Sequence, residues 1–325
     1  MSLTVWTNHE LRPGARALFA EGLAAAGARL IQSAQSSRSV LDQGEPDPTL
    51  GEADIAYGQP DPDDVMRHPR LKWIAISTAG YTRYDRTDFR AAMRARGTVV
   101  TNASGVFATP CAEHLLAMML ALGRQLPKYV LNQAGPHGWP YLDDRYAMTL
   151  LTGQTVVILG YGAIGKRLAE LLAPFRGRVI AVRRAPRGDE GVETVTTENA
   201  AAALAAADHV VNVLPDNPVS RGWCNAARFA QMKRGARFYN VGRGTSVNQP
   251  DLVAALQSGQ VGGAYLDALD PEPLPPEHPI WTAPNCHITQ HIGGGSREQD
   301  EALVRHFLEN FRRFRVGEAM VDRIG

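Results

Sequence analysis

The sequence predicts an α/β protein that contains two units, each built on a mostly parallel β-sheet. Short apolar runs alternate with helical patterns along the chain. This alternation is typical of parallel strands that are connected by helices packed on the faces of the sheet. The chain has 325 residues, whereas one domain usually has about 100–200, so we expect two domains.

The first series of elements ends near residue 102. Five short strands and three helices alternate in it, and together they predict one small α/β unit. The predicted strands are 3–7, 28–32, 53–57, 71–77 and 98–101, and the predicted helices are 10–26, 61–68 and 85–96.

A long apolar helix is predicted next, at 108–126. Pro110 would lie in its first turn and Pro127 just beyond its end, positions that suit proline. The helix is apolar over more of its circumference than one-sided packing requires. We interpret this excess either as a homodimer interface or as burial within one subunit. An irregular stretch is predicted at 132–148.

A second series begins with the apolar run 155–159, which is typical of a strand buried on both faces. A closing helix is expected to return to the first unit. The predicted strands of this series are 155–159, 178–182, 209–214, 237–241, 262–266 and 287–289, and the predicted helices are 163–172, 198–207, 225–231, 250–258 and 298–315.

The amino-acid composition indicates which kinds of binding partner the protein lacks. Lys and Arg total 34 and Asp and Glu total 33, a net charge of +1, so we expect neither a nucleic-acid nor a membrane partner. The three cysteines are widely spaced, which makes a disulfide framework or a metal site improbable. The N-terminus lacks a signal-peptide pattern and no apolar run approaches about 20 residues, so we expect a cytoplasmic protein.

A glycine-rich motif opens the second series. Its residues are Gly160, Tyr161, Gly162, Ala163, Ile164 and Gly165. The motif follows a predicted strand and begins a predicted helix, the context in which backbone amides and the helix N-terminus bind a dinucleotide pyrophosphate. We therefore predict a dinucleotide site here rather than a plain strand–helix turn.

The end of the next strand indicates which dinucleotide is bound. An NAD site usually carries an acid there for the ribose 2′-hydroxyl, whereas this chain has Arg183 and Arg184, with Arg187 nearby. Arginine pairs with a 2′-phosphate. We predict that NADP(H) is preferred and that NAD(H) remains possible. The alternative is that these arginines form only a solvated surface cluster.

Three later segments place Arg243, Glu272 and His291 where predicted strands of the sheet end. In doubly wound folds this edge faces the ligand crevice. A cation stabilises the negative charge that forms on a carbonyl oxygen during hydride addition, and a protonated imidazole then neutralises it. A carboxylate neighbour would hold the imidazole in one orientation.

With these motifs the chain resembles the D-isomer-specific 2-hydroxyacid dehydrogenase family, from about residue 70 to 295. The segments that carry the resemblance, besides those above, are Ser77–Gly80, Asn102–Val106, Ala112–His114 and Leu151–Thr155. The resemblance implies a Rossmann-type cofactor domain, residues 103–291, inserted into a flavodoxin-like substrate domain, residues 1–102 plus 292–325. It also implies a homodimer of the glyoxylate/hydroxypyruvate reductase type.

The resemblance further implies roles for single residues. Arg243 binds the substrate, His291 is the proton donor and Glu272 is its partner. The backbone of Thr78, Ala79 and Gly80 holds the substrate carboxylate, and Asp267 orients the nicotinamide carboxamide. The remaining predicted cofactor contacts are Leu214, Pro215 and Val241. The expected reaction is the reduction of a small 2-keto acid to a D-2-hydroxy acid with NADPH.

Two positions depart from the family pattern. Gln290 stands where proline commonly precedes the catalytic histidine, and Tyr81 and Arg83 follow the carboxylate loop where smaller or acidic residues are more usual. Two other functions remain open. One is a non-catalytic protein that senses dinucleotides, and the other is a relative that oxidises formate or phosphite.

Overall fold

A computed structural model describes residues 2–37, 45–139 and 141–324. The chain divides into two compact units. One, here called the outer unit, is Met1–Phe107 with Ser296–Gly325, and the other, the central unit, is Ala108–Gly295. The chain passes between the units at 107/108 and 295/296, where the sequence predicts 102/103 and 291/292. The roles of the units in binding substrate and cofactor stay predictions.

The strands of the described residues alternate with helices as the sequence predicts. The strands are β1 (Thr4–His9), β2 (Arg29–Ser37), β3 (Ile55–Gly58), β4 (Trp73–Ile76), β5 (Val99–Thr101), β6 (Thr155–Leu159), β7 (Arg178–Arg183), β8 (Glu193–Thr196), β9 (His209–Asn212), β10 (Ala236–Asn240), β11 (Val261–Leu266), β12 (Cys286–Ile288) and β13 (Arg323–Ile324).

The helices range from six to 20 residues. They are α1 (Pro13–Ala25), α2 (Pro62–Arg67), α3 (Thr87–Arg96), α4 (Ser104–Gly123), α5 (Leu126–Ala134), α6 (Tyr141–Ala147), α7 (Ala163–Leu172), α8 (Ala200–Ala206), α9 (Ala226–Gln231), α10 (Gln249–Gln257) and α11 (Gln299–Val316).

The sheet of the outer unit has the order β13-β5-β4-β3-β1-β2. The strands are parallel except β13, which pairs antiparallel with β5. The five parallel strands have the flavodoxin-like order 2-1-3-4-5. Helix α11 belongs to this unit, and its Val304, Phe307 and Phe311 lie in one apolar core with Val5 and Phe19. The predicted return of the closing helix to the first unit is confirmed.

The central unit contains a fully parallel seven-stranded sheet in the order β12-β11-β10-β9-β6-β7-β8. Counted from β6, six of these strands have the Rossmann order 3-2-1-4-5-6. Along β6, Val157 and Leu159 join one apolar core, and Val156 and Ile158 join the other. This strand is therefore buried on both faces, and the predicted fold class is confirmed.

The long apolar helix differs from the prediction at both ends. Helix α4 begins at Ser104, whose amide donates to the Asn102 side chain, so Pro110 lies inside the helix rather than in its first turn. The helix ends at Gly123, and Pro127 lies in the first turn of α5. The stretch 132–148, predicted as irregular, contains part of α5 and all of α6. Pro127 begins a new helix, whereas Pro110 lies inside a helix just beyond the change of unit at 107/108. Local sequence rules do not distinguish these two positions.

Helix α4 is long and apolar enough to cross a membrane by length and composition alone, with a mean hydropathy of 1.5. The expectation that no apolar segment approaches this length was therefore wrong. Its Leu115, Met118 and Met119 pack in the core of the central unit beside Val156 and Ile158 of β6. In all, 28 % of the apolar window of α4 is buried in the structure. The three cysteines are free thiols, as expected.

Candidate active site in the central unit

Arg243, Glu272 and His291 lie in loops that follow three adjacent strands, β10, β11 and β12. His291 Nδ1 lies 2.8 Å from Glu272 Oε2, and the Leu269 amide donates to Glu272 Oε1 at 2.9 Å. Because a carboxylate only accepts hydrogen bonds, Nδ1 carries the proton of this pair. The other ring nitrogen, Nε2, remains for proton transfer.

The electrostatics of the site keep Glu272 ionised. Burial opposes ionisation, but hydrogen bonds from His291 and Leu269 and the charge of Arg243 outweigh it, so the pKa of Glu272 lies below its ordinary value. Burial lowers the pKa of Arg243, and the charges of Glu272 and Asp216 oppose this shift. An arginine nevertheless stays charged at neutral pH, so the site holds a cation and an imidazole–carboxylate pair.

The His291 loop is organised by Asp267, which is 3 % exposed. Its backbone oxygen accepts from the His291 amide at 2.9 Å, and its carboxylate accepts from the amides of Ile292 and Gly293, each at 2.9 Å. The Thr289 hydroxyl donates to the same carboxylate at 2.7 Å. The sequence predicts that Asp267 contacts the cofactor. Its role in holding the histidine loop was not predicted.

Arg243 is held by a network of amide and hydroxyl side chains. Its Nη1 donates to the Gly242 carbonyl at 2.6 Å, and its own carbonyl accepts from Ser246 Oγ at 2.6 Å. Asn212, at the end of β9, donates to both Asn240 and Ser246, at 2.9 and 2.7 Å. No local sequence pattern indicates Asn212 and Ser246, because buried hydrogen-bond partners on different elements have no fixed spacing.

The glycine-rich loop lies between β6 and α7 as predicted. Gly160 has a φ of +91°, in the left-handed region that favours glycine. A Cβ atom on Gly165 would lie 2.7 Å from the Gly160 carbonyl oxygen, so the helix approaches the strand too closely for any side chain. A Cβ atom on Gly162 would meet nothing within 4 Å, which leaves space beside the helix N-terminus. These features fit a dinucleotide.

The loops after β9 and β10 approach each other closely. A Cβ atom on Gly242 would lie 2.8 Å from the Leu214 carbonyl oxygen, and Val241 is buried beside it. A Cβ atom on Gly160 would in turn lie 3.0 Å from the Val213 carbonyl oxygen. The predicted contacts Leu214 and Pro215 therefore lie on the loop that approaches the glycine-rich loop, and Val241 lies on the next loop, which packs against Leu214.

The two arginines at the end of β7 differ in their surroundings. Arg183 Nη1 forms an ion pair with Glu190 Oε1 at 2.7 Å. Arg184 is exposed and pairs with no acid among the residues the structure describes, and Arg187 is also exposed. The sequence alone does not distinguish Arg183 from Arg184. The acid that pairs with Arg183 and not with Arg184, Glu190, lies seven residues after Arg183.

Thr78, Ala79 and Gly80 lie in the outer unit after β4. The Thr78 hydroxyl donates to the Gly80 carbonyl at 2.7 Å, and Asn102 Nδ2 donates to the Ala79 carbonyl at 2.7 Å. A cavity of 280 Å³ in the same unit is lined by residues of α3, β5 and β13, and none of the predicted site residues lines it. The role of the 78–80 backbone in substrate binding stays a prediction.

Comparisons with known proteins show which family the chain resembles. The family described as D-isomer specific 2-hydroxyacid dehydrogenase, NAD binding domain, matches residues 116–293. The glyoxylate reductase/hydroxypyruvate reductase of Mus musculus is 35 % identical over 235 residues, 71 % of each chain. That of Homo sapiens is 36 % identical over the same shares.

Two solved structures resemble the whole chain. A D-isomer specific 2-hydroxyacid dehydrogenase from Xanthobacter autotrophicus Py2, in complex with NADPH and MES, has a TM-score of 0.81 and 27 % identity, covering 100 % of this chain and 98 % of its own. An NADPH-dependent glyoxylate/hydroxypyruvate reductase from Sinorhizobium meliloti, in complex with NADP and sulfate, has a TM-score of 0.76 and 28 % identity over the same shares. The chain belongs to the D-isomer specific 2-hydroxyacid dehydrogenase family.

Proposed function

We propose that this enzyme reduces a small 2-keto acid to the D-2-hydroxy acid with NADPH. The hydrogen-bonded pair of His291 and Glu272, in loops on the same sheet edge as Arg243, carries this proposal. NADPH, when bound, supplies the hydride. The relatives named above as glyoxylate/hydroxypyruvate reductases act on acids of this class, and one solved structure contains NADP.

The residues of the chain provide proton transfer and charge stabilisation. His291 donates the Nε2 proton to the carbonyl oxygen as it gains charge, and Glu272 stabilises the imidazolium before transfer. Arg243 binds the oxygen and the neighbouring carboxylate and stabilises the developing negative charge. In oxidation of the hydroxy acid the same imidazole, then neutral, accepts the proton.

The backbone of Thr78–Gly80 is proposed to hold the substrate carboxylate. The amides of Thr78, Ala79 and Gly80 donate no hydrogen bond to any residue within the described ranges. Consecutive backbone amides that are free to donate suit an anionic group. Tyr81, directly after this loop, is proposed to influence which side chain of the keto acid is accepted.

Space and charge support the proposed cofactor contacts. The glycine-rich loop 160–165 would bind the pyrophosphate, and Leu214, Pro215 and Val241 would lie along the nicotinamide half. Asp267 is proposed to orient the carboxamide in addition to holding the histidine loop. Arg184 would bind the 2′-phosphate, because its guanidinium is exposed and no described acid pairs with it.

We also propose that the enzyme is a homodimer in the cytoplasm. Helices α5 and α6 and their flanking residues expose many large apolar side chains in the central unit. The exposed fractions are Val130 65 %, Leu131 68 %, Trp139 91 %, Tyr146 82 % and Leu150 66 %. An apolar surface of this kind marks a protein interface, and a second copy of the chain would cover it.

A substrate and cofactor panel tests the proposed reaction. Glyoxylate, hydroxypyruvate, pyruvate and phenylpyruvate would each be offered with NADPH and with NADH, and the configuration of the product determined. We expect NADPH oxidation with at least one acid, a D-configured product where it is chiral, and a preference for NADPH that shrinks as salt screens the arginine–phosphate contact. NADPH binding without reduction of any keto acid, and without oxidation of formate or phosphite by the oxidised cofactor, would instead support a protein that senses dinucleotides.

A further inference from the structure

The loop after β7 closes around a buried acid, Glu190, whose side chain is 2 % exposed. Its carboxylate accepts three hydrogen bonds from the loop. The donors are Arg183 Nη1 at 2.7 Å, the Arg187 amide at 2.7 Å and the Gly188 amide at 2.8 Å. One carboxylate therefore holds both ends of the segment 183–187, one through a side chain and the other through the backbone.

The arginines of this segment are separated into two groups by these contacts. The Arg183 side chain is 16 % exposed and its charge is neutralised by Glu190. The side chains of Arg184 and Arg187 remain exposed, with no acid paired to either among the described residues. Two cations are therefore presented to solvent from a backbone that is fixed at both ends.

The same loop is attached to the glycine-rich loop. The Tyr161 hydroxyl donates to the Glu190 carbonyl at 3.4 Å, and Tyr161 itself is buried. The Gly160 amide donates to the Val182 carbonyl at 3.0 Å, directly before Arg183. The arginine segment thus has a defined position relative to the loop proposed to bind the pyrophosphate.

We propose that Glu190 is a positioning residue for cofactor selection. It engages Arg183 inside the loop and fixes the backbone from which Arg184 and Arg187 bind the 2′-phosphate of NADP(H). This inference rests on the proposed NADP function and deepens it. Arg183, predicted from the sequence as a phosphate ligand, becomes part of the loop structure instead. Holding the segment in place before binding lowers the entropic cost of ordering the two long side chains.

The protonation of Glu190 agrees with this role. The hydrogen bond from the Arg187 amide, joined by that from Gly188 and the charge of Arg183, lowers the pKa of Glu190 below its ordinary value, although desolvation opposes the shift. The carboxylate therefore stays ionised at neutral pH and accepts all three hydrogen bonds. A neutral amide in its place retains one acceptor oxygen, which the experiment below uses.

Calorimetric titration with adenosine 2′,5′-bisphosphate, compared with adenosine 5′-monophosphate, measures the 2′-phosphate contact directly. Arg184→Met and Arg187→Met should each weaken binding of the bisphosphate roughly tenfold, the effect of losing one charged hydrogen bond. The double variant Arg183→Met with Glu190→Gln removes the ion pair and keeps one of the two oxygens that accept from the loop amides. It should weaken binding by no more than about twofold, because Arg183 does not contact the phosphate.

Glu190→Ala removes every acceptor atom and should weaken bisphosphate binding at least about fivefold, with unchanged binding of the monophosphate as the sign of a folded protein. Hydrogen exchange of the free enzyme gives a readout that needs no cofactor. The amides of Arg187 and Gly188 should exchange slowly in the wild type and faster in Glu190→Ala. Equal exchange rates would overturn the proposed role of Glu190.

The two proposals fail in different ways. A wild type that binds both nucleotides equally would overturn the NADP preference, and the role of Glu190 with it. A wild type that prefers the bisphosphate, with a loss of tenfold or more in the Arg183→Met, Glu190→Gln variant, would leave the NADP function intact. It would identify Arg183 as a phosphate ligand and overturn the positioning role.

Discussion

His291 has a φ of +54°, a backbone conformation that residues other than glycine adopt infrequently. The hydrogen bonds of Asp267 to the amides of His291, Ile292 and Gly293 hold the chain in this conformation. Such conformations persist where surrounding contacts define them, and they concentrate at functional sites. At the scale of single residues, the position of the proposed proton donor is thus fixed by Asp267, which directly follows the neighbouring strand β11.

Replacing His291 by alanine tests the proton donor. We expect turnover in keto-acid reduction to fall by about 10²–10⁴-fold, the usual contribution of a positioned acid. Steady-state kinetics at saturating NADPH would measure it. His68→Ala is a matched control, because His68 lies in the outer unit paired with Asp64. Turnover of His291→Ala close to that of the control would contradict the mechanism.

Glu272→Gln tests the role of the carboxylate. Glu272 has a lowered pKa and is therefore ionised across the neutral range. Its carboxylate accepts the Nδ1 proton of His291 at 2.8 Å, so an amide in its place, which can also donate, should let the imidazole ring leave the position for proton transfer. We expect kcat/KM for keto-acid reduction at saturating NADPH to fall, but by less than in His291→Ala. Wild-type kinetics in Glu272→Gln would show that Glu272 does not act through His291.

At the scale of elements, the loops after β10 and β11 pack against each other without space for a side chain. A Cβ atom on Gly244 would lie 1.8 Å from the Leu269 carbonyl oxygen and 2.5 Å from the Asp270 amide nitrogen. Gly244 adjoins Arg243, and Leu269 donates to Glu272 through its amide. The close contact therefore joins the loop of Arg243, the proposed substrate-binding cation, to the loop of Glu272, the partner of His291.

Gly244→Ala should separate these two loops. We expect kcat/KM to fall by about 10²-fold, since a displacement of about 1 Å in a catalytic group has this effect, and the free energy of unfolding to fall by about 1–3 kcal/mol. Kinetics and urea unfolding would measure the two effects. Gly14→Ala is a control, because a Cβ atom there has only an ordinary contact at 3.5 Å. Wild-type kinetics in Gly244→Ala would show that the two loops move independently of each other.

At the scale of the whole molecule, a buried histidine links stability to pH. His209 on β9 is 1 % exposed. Its Nδ1 forms a hydrogen bond of 2.9 Å with the Tyr239 hydroxyl, and its Nε2 forms one with the Gln154 side-chain oxygen. Burial, assisted by the charge of Arg237, lowers the pKa of His209 to about 3, although Asp208 opposes the shift. The unfolded chain, with a histidine pKa of about 6.5, binds this proton first.

The sign of the effect follows from that order. Between pH 6.5 and 3 the unfolded state holds more protons at this position, so stability falls as pH falls, by at most about 1.4 kcal/mol per pH unit. Urea unfolding of the wild type and of His209→Gln between pH 7.5 and 4.5 would measure it. We expect a shallower loss in the variant, and parallel pH profiles would show that His209 does not cause the acid sensitivity.

The proposed homodimer depends on the apolar surface of α5 and α6. Glutamate at both Leu131 and Tyr146 would place charges in the proposed dimer interface, where they are poorly solvated. We expect a dimer for the wild type and a monomer for this variant in light scattering after size exclusion. Val219→Glu is a control, since Val219 is 65 % exposed but lies outside α5 and α6. A wild type that is itself monomeric would overturn the proposed dimer.

The sequence by itself determined the order of strands and helices in both units, apart from α5, α6, β8 and β13. The bounds of β6 and α7 agree with the prediction residue for residue, because a buried parallel strand and a glycine-rich turn have strong local patterns. Edge elements were missed. The strands β8 and β13 have four and two residues, and pairing with a neighbour, rather than a local apolar pattern, makes them strands.

The resemblance already implied that Glu272 is the partner of His291, and the two side chains lie 2.8 Å apart. Only the tertiary structure decided the other contacts: it attaches the His291 loop to Asp267 and pairs Arg183 with Glu190 while leaving Arg184 exposed. A run of arginines looks uniform in the sequence, because propensity and periodicity concern the backbone and the apolar core. The partner of a charge is set by how the chain folds back in space, and that position depends on the packing of the whole unit.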